Sequence, residues 1–152
     1  MKTVNEILVQ KGNRIWTISP EDTVYNALKM MAEKSLGALL VVDNGGSPVG
    51  ILSERDYARK VILVGKTSRE TKVKEIMSTH IIYVSPDRSP EECMALMINK
   101  RIRHLPVLEN EKLAGIISIG DVVKAVIDEK EFVIDQLVHY IKDTPHLNEA
   151  KK

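Results

Sequence analysis

The chain has 152 residues, 43% of them hydrophobic and 28% charged, which suits one ordinary domain or two small ones and excludes disorder. Aromatic residues are only 4%, so the core is expected to be aliphatic, and stacking platforms for single-stranded nucleic acid are scarce. Lysine and arginine number 22 against 21 acidic residues, a formal charge of +1, which gives no overall field toward nucleic acid or an anionic membrane; any anion site must be local.

In chain order, Ile15 to Ile18 predicts a short strand, followed by Ser19-Pro20. Val24, Ala27, Leu28 and Met31 then fall at i, i+3, i+4 and i+7, the spacing of a one-sided helix. Two β-rich runs, Leu39 to Asp43 and Val49 to Ser53, flank Asn44-Gly45-Gly46, residues suited to a tight hairpin. A helix over 54–63 closes the unit, and the polar stretch Gly65 to Lys72 reads as a connector.

The same order then recurs. Ile81 to Val84 predicts a strand, and Ser89-Pro90-Glu91-Glu92 opens a helix in which Ser89 caps, Pro90 sets the first φ and Glu92 can bond back to the cap. The apolar face of that helix is Cys93, Met94, Met97 and Ile98. Strands over Leu105 to Glu109 and Ala114 to Ser118 and a helix over 119–130 complete the second unit. Phe132, Leu137, Val138 and Ile141 suggest an additional C-terminal helix, with a frayed tail from Pro145.

These are two copies of one unit. Ile15 to Asn44 lies over Ile81 to Asn110 at an offset of 66 with 8 identities in 30 positions, and Gly50 to Ile62 lies over Gly115 to Ile127 at an offset of 65 with 6 in 13. Val4-Asn5-Glu6-Ile7-Leu8 also echoes Val73-Lys74-Glu75-Ile76-Met77. Each copy reads β-α-β-β-α, so the fold class is α/β (α+β). Two such units pressed sheet to sheet about a pseudo-twofold can share a core that neither has capacity to build alone. The expected division is 1–64 for the first repeat, 65–72 for the linker, 73–130 for the second repeat and 131–152 for the C-terminal helix and tail.

The strings Gly37-Ala38-Leu39-Leu40-Val41-Val42-Asp43, Val49-Gly50-Ile51-Leu52-Ser53-Glu54-Arg55-Asp56-Tyr57, Arg103-His104-Leu105-Pro106-Val107 and Gly115-Ile116-Ile117-Ser118-Ile119-Gly120-Asp121-Val122 resemble the signatures of tandem CBS (cystathionine β-synthase) domains. In particular they resemble those of small stand-alone bacterial CBS-pair proteins. The resemblance implies a regulatory module that binds an adenosine-containing ligand (AMP, ADP, ATP, NAD(H) or S-adenosylmethionine) and carries out no catalysis. It also implies two clefts between the halves, in which an Asp at the start of a repeat's last helix holds the ribose and a Ser three residues earlier lies near ribose or phosphate. On that pattern the first cleft comprises Ser53, Arg55 and Asp56 with Ile81, Ile82, Arg103 and His104. The second comprises Ser118 and Asp121 with Ile15, Trp16, Gly37 and Ala38, where Gly-Ala replaces the basic pair and phosphate would be held less strongly.

The chemistry is independently reasonable, since a carboxylate accepts both hydroxyls of a diol and a helix N-terminus favours phosphate. Ser-x-x-Asp is equally a helix cap, and both readings stand at this point. Arg55, Arg59 and Lys60 read as a solvated helix face, with Arg55 near enough to Asp56 to reach a phosphate. Cys93 reads as a buried small residue, and the histidines lack zinc-site spacing, so no metal, catalytic cofactor or catalytic group is expected. A homodimer, with a separate regulated protein as a further partner, is expected because no output domain is present. One unpaired cysteine and the absence of any apolar run near 18 residues predict a cytoplasmic chain with no membrane or nucleic-acid partner.

Overall fold

The chain, described here from a computed structural model, is seen over residues 2–12 and 14–143; the tail expected from Pro145 lies outside the described residues. Hydroxyl side chains start the helices. Thr3 caps α1 (Val4–Lys11), Thr23 caps α2 (Val24–Lys34) and Ser89 caps α5 (Pro90–Lys100). Each hydroxyl accepts the amide three residues on, at 3.4, 3.1 and 3.1 Å, contacts worth about 1 kcal/mol apiece. Glu92 does not complete the reciprocal cap at Ser89; its carboxylate pairs with Arg88 at 3.2 Å. The helices α2 and α5 stop at equivalent left-handed residues, Ser35 at φ 56° and Arg101 at φ 55°.

In the first repeat, β1 (Thr17–Ile18) runs parallel to β2 (Ala38–Val42), which pairs antiparallel with β3 (Pro48–Ser53). In the second, β4 (His104–Glu109) pairs antiparallel with β5 (Lys112–Ser118). The strand expected over 81–84 shrinks to a parallel bridge between Val84 and Val107. The offset drops from 66 to 65 at the hairpins. The first turn is held by Asp43, whose Oδ1 accepts the amides of Gly45 and Ser47 at 3.0 and 2.9 Å. The second is a tighter turn through Asn110 and Glu111, both at positive φ.

Buried aliphatic side chains form two cores, joined by an exchange of helices. Ile18, Ala27, Met31, Leu39, Val41 and Leu52 form the first, which also takes Val73 and Ile76 from α4 (Val73–Ile76). Cys93, Met97, Leu105, Val107, Ile117 and Val122 form the second, which takes Val4, Ile7 and Leu8 from α1. Each leading helix therefore packs on the opposite repeat, and a glycine makes the room. A Cβ at Gly50 would lie 2.6 Å from Met77 Sδ, and one at Gly115 would lie 2.6 Å from Leu8 Cδ2. The main chain adds a bridge across the repeats, Ile51 and Ser78 exchanging two hydrogen bonds of 2.9 Å.

The closing helices differ. α3 (Glu54–Tyr57) opens into a wide π-helical turn over Ala58–Ile62, where the Leu63 amide reaches back five residues to Ala58 O at 3.2 Å. α6 runs unbroken from Ile119 to Asp143, so the closing helix and the separate C-terminal helix of the sequence reading are one. No Gly, Pro or capping signal interrupts Asp128 to Val138, and its Glu, Lys, Gln and Leu residues sustain the helix.

Candidate functional site

Where each hairpin's second strand turns into a helix, the chain builds the same reciprocal cap. At Ser53, the hydroxyl accepts the Asp56 amide at 3.2 Å, while Asp56 Oδ2 accepts the Ser53 amide at 3.0 Å and its hydroxyl at 3.1 Å. At Ser118, the hydroxyl accepts the Asp121 amide at 3.1 Å and Asp121 Oδ2 accepts the Ser118 amide at 2.9 Å. The capping reading of Ser-x-x-Asp is thus geometrically realised in both repeats. It fixes the carboxylates at the starts of α3 and α6 rather than leaving them free to rotate. The next amides are also tied at equivalent points, Glu54 N–H to Gly37 O at 3.1 Å and Ile119 N–H to Arg103 O at 2.8 Å.

Around Asp56 the two repeats enclose a cavity of about 390 Å³, within the usual range for a small-molecule site. All seven residues assigned to the first cleft line it: Ser53, Arg55 and Asp56 from the first repeat, and Ile81, Ile82, Arg103 and His104 from the second. Gly37, assigned to the second cleft, lies here as well, and a Cβ on it would stand 3.4 Å from the His104 imidazole. Lys60 sits behind Asp56, its Nζ 3.3 Å from Oδ1 and donating to Ile76 O at 3.0 Å.

Three further basic residues that the expected first cleft did not include line this cavity, Arg59, Arg101 and His80. Arg59 follows Arg55 by four positions and so shares its helix face; the supposed solvated face borders the cavity. Arg101 was legible in the basic run Lys100-Arg101-Ile102-Arg103-His104, but its aim depends on the left-handed turn at that residue. Four arginines thus face two acids, Glu54 and Asp56, giving the cavity the local anion preference that the chain as a whole lacks. Burial, with the Lys11 and Arg103 charges, holds the His104 imidazole below its ordinary pKa against the opposing pull of Asp121. His104 is therefore a neutral lining group at pH 7.

Of the residues assigned to the second cleft, Gly37 and Asp121 border different spaces. Ala38 is buried in β2, and Trp16 packs against the first core with Lys34 Nζ 4.3 Å from its ring centroid. Asp121 instead borders a groove of about 100 Å³ between α1 and α6, with Ile7, Gln10, Lys11 and Lys124 among its walls. Lys11 Nζ donates to Asp121 Oδ2 at 2.7 Å and to Ile116 O at 2.9 Å. Burial pushes the Asp121 pKa up, but hydrogen bonds from Lys11 and the Ser118 amide outweigh it, so the carboxyl titrates below its ordinary range.

Elsewhere the reactive side chains are quiet. Burial, helped by Glu92, pushes the Cys93 thiol up to about 11, and its side chain sits fully inside the second core. Among the described residues no group of three or more His, Cys, Asp or Glu side chains is placed to hold a metal ion, and no helix is long and apolar enough to cross a membrane.

Comparison with known proteins matches this geometry to a family. The CBS domain model matches residues 5–63 and 73–128. The chain is 39% identical over 149 residues to the CBS domain-containing protein CBSX3, mitochondrial, of Arabidopsis thaliana, a match spanning 92% of this chain and 72% of that one. Among solved structures, a protein with CBS domains from Burkholderia ambifaria is 53% identical, with a TM-score of 0.80 over 84% of this chain and 95% of its own. A hexameric CBS-CP12 protein from bloom-forming cyanobacteria is 31% identical, with a TM-score of 0.76 over 99% of this chain and 88% of its own. With two repeats in register and the paired Ser-x-x-Asp caps at equivalent places, the chain belongs to the CBS domain family and carries a tandem pair, a regulatory module.

Proposed function

We infer that this chain is a sensor of adenine nucleotides, with the nucleotide bound in the cavity beside Asp56. The observation that carries this is the union in one 390 Å³ space of a fixed Ser53–Asp56 cap from one repeat with Arg101, Arg103 and His104 from the other. Asp56 would accept the ribose hydroxyls and the arginines would hold the phosphates, bidentate geometry being what a guanidinium does best. Four arginines favour a di- or triphosphate, or NAD(H), over AMP or S-adenosylmethionine. A ligand that touches both repeats favours one arrangement of them over another only by its difference in affinity for the two. That difference is the signal, and no catalytic step is required.

Calorimetry with AMP, ATP, NADH and S-adenosylmethionine tests the reading. The wild-type chain should bind ATP, and Asp56→Ala should weaken it about 10- to 100-fold, the loss of hydrogen bonds to a charged acceptor; Asp121→Ala should do little. Absence of binding by all four compounds refutes it and favours the alternative, an interaction adaptor with vestigial clefts; an Asp121→Ala loss as large as that of Asp56→Ala refutes the placement of the nucleotide beside Asp56. The groove at Asp121, held by Lys11, is what speaks for that alternative.

A conformational signal acts on another protein through a second surface. Exposed Ile127, Phe132, Ile134, Leu137 and Ile141 along α6 and the hexameric CBS-CP12 relative support self-association, as a homodimer in the first instance, with a separate regulated protein as the other partner. Light scattering should report a mass above that of one chain, falling on Leu137→Glu; a monomer at all concentrations refutes it. The unpaired, buried Cys93 supports a reducing compartment such as the cytoplasm.

A further inference from the structure

The two carboxylates sit on matching caps, yet Asp56 borders a cavity of about 390 Å³ and Asp121 a groove of about 100 Å³, and the copies differ at α1. Leu8 and Met77 are equivalent residues of the exchanged helices, and the next matched residues are Ile15 and Ile81. The first copy therefore has seven steps where the second has four. The extra residues continue α1 by a turn beyond the point where α4 ends, since α1 spans Val4–Lys11 and α4 only Val73–Ile76. At the position of Lys11 the second copy has His80, which lines the open cavity. Lys11 sits on the last turn of a helix anchored by Val4, Ile7 and Leu8 in the second core. From there its ammonium reaches Asp121 at 2.7 Å and Ile116 O at 2.9 Å.

We propose that Lys11 is a built-in occupant of the second cleft: its ammonium holds Asp121 in place of a ligand's diol and so limits each chain to one nucleotide. This rests on the reading of Asp56 and Asp121 as equivalent ribose acceptors. The contact is a single charge-assisted bond to Oδ2, the oxygen that also accepts the Ser118 amide, so a diol approaching that side of Asp121 meets the ammonium. In the open cleft Lys60 touches Asp56 Oδ1 at the longer 3.3 Å, leaving Oδ2 to the cap. Its counterpart near Asp121 is Ala125, and among the described residues the cation at salt-bridge distance from the second carboxylate is Lys11. Lys11 is a residue that sets stoichiometry, and its charge also reaches the His104 imidazole in the open cleft.

The experiment pairs ATP calorimetry with carboxyl carbon-13 NMR of Asp121 in the full chain. Lys11→Met keeps the stem but removes the charge, and Lys11→Arg keeps the charge. The wild type and Lys11→Arg should bind one ATP per chain, Lys11→Met two, and Lys11→Met combined with Asp121→Ala one again. In Lys11→Met the Asp121 titration should move up. Two ATP molecules on the wild type, or a single one on Lys11→Met, overturns the proposal. If the wild type binds no ATP, the reading of the open cleft fails by itself and the titration judges the lock. An upward shift in Lys11→Met then upholds the Lys11 contact, and an unmoved Asp121 refutes it.

Discussion

The exchange of leading helices makes a quantitative prediction, because Leu8 and Gly115 occupy space that only one of them can enlarge. A Cβ at position 115 would sit 2.6 Å from Leu8 Cδ2 and 3.2 Å from Cδ1, and both residues are buried. Gly115→Ala should therefore cost about 2 kcal/mol by overpacking, lowering the melting temperature by about 4–8 °C for a chain of this size. Leu8→Ala should cost about 2–5 kcal/mol, since the side chain is 4% exposed and its loss leaves a cavity in the second core. In the double variant the new methyl at 115 enters the space that the leucine vacated. The combined loss should then fall short of the sum by about 1–2 kcal/mol. Urea unfolding followed by circular dichroism, with m-values checked for constancy, reads all four corners of the cycle. Additivity within about 0.5 kcal/mol would mean that α1 does not rest on β5. The placement of Lys11 over Asp121 would fall with it.

Three further outcomes are expected. Arg101→Gly removes a guanidinium from the nucleotide cavity while suiting the left-handed backbone at φ 55°. ATP affinity should drop several-fold more than AMP affinity with the melting temperature unchanged or raised, and equal drops for both ligands would remove Arg101 from the phosphate site. Because His104 is held below its ordinary pKa by burial and by Lys11 and Arg103, the unfolded chain binds the proton first as the pH falls through about 6.5. Stability should decline from pH 7 toward pH 5 and decline less in His104→Asn; parallel curves for the two proteins would contradict this. With its thiol pushed up to about 11, Cys93 should resist iodoacetamide at pH 8 in the folded chain and react on unfolding. Rapid alkylation of the native protein would show that the second core is open.

The duplicated unit was legible because periodicity and capping are local. The i, i+3, i+4, i+7 face of α2, the Ser89-Pro90 start of α5 and the apolar runs of β2 to β5 need only neighbours in sequence to declare themselves. Ser53 with Asp56 and Ser118 with Asp121 were legible for the same reason, as caps of their own helices. Two features differ from what the local pattern suggests. The expected strand over 81–84 keeps only the Val84 bridge, and the boundary placed at 130 falls inside α6, whose residues carry no stop signal there.

By itself, then, the sequence determined a repeated β-α-β-β-α unit, an aliphatic core and the cap-borne carboxylates, all properties of contiguous stretches. Only the tertiary structure decided which repeat each leading helix serves, since the choice is made by Leu8 against Gly115 and Met77 against Gly50, contacts between residues far apart in the chain. It likewise decided that Gly37 lies beside His104, that Arg59 and Arg101 border the same cavity as Asp56, and that Lys11 reaches Asp121. The two carboxylates are alike in their local sequence. They differ in charge environment because long-range packing sets which cation stands within hydrogen-bonding distance, and the reach of a side chain from another element is not written in the residues around its target.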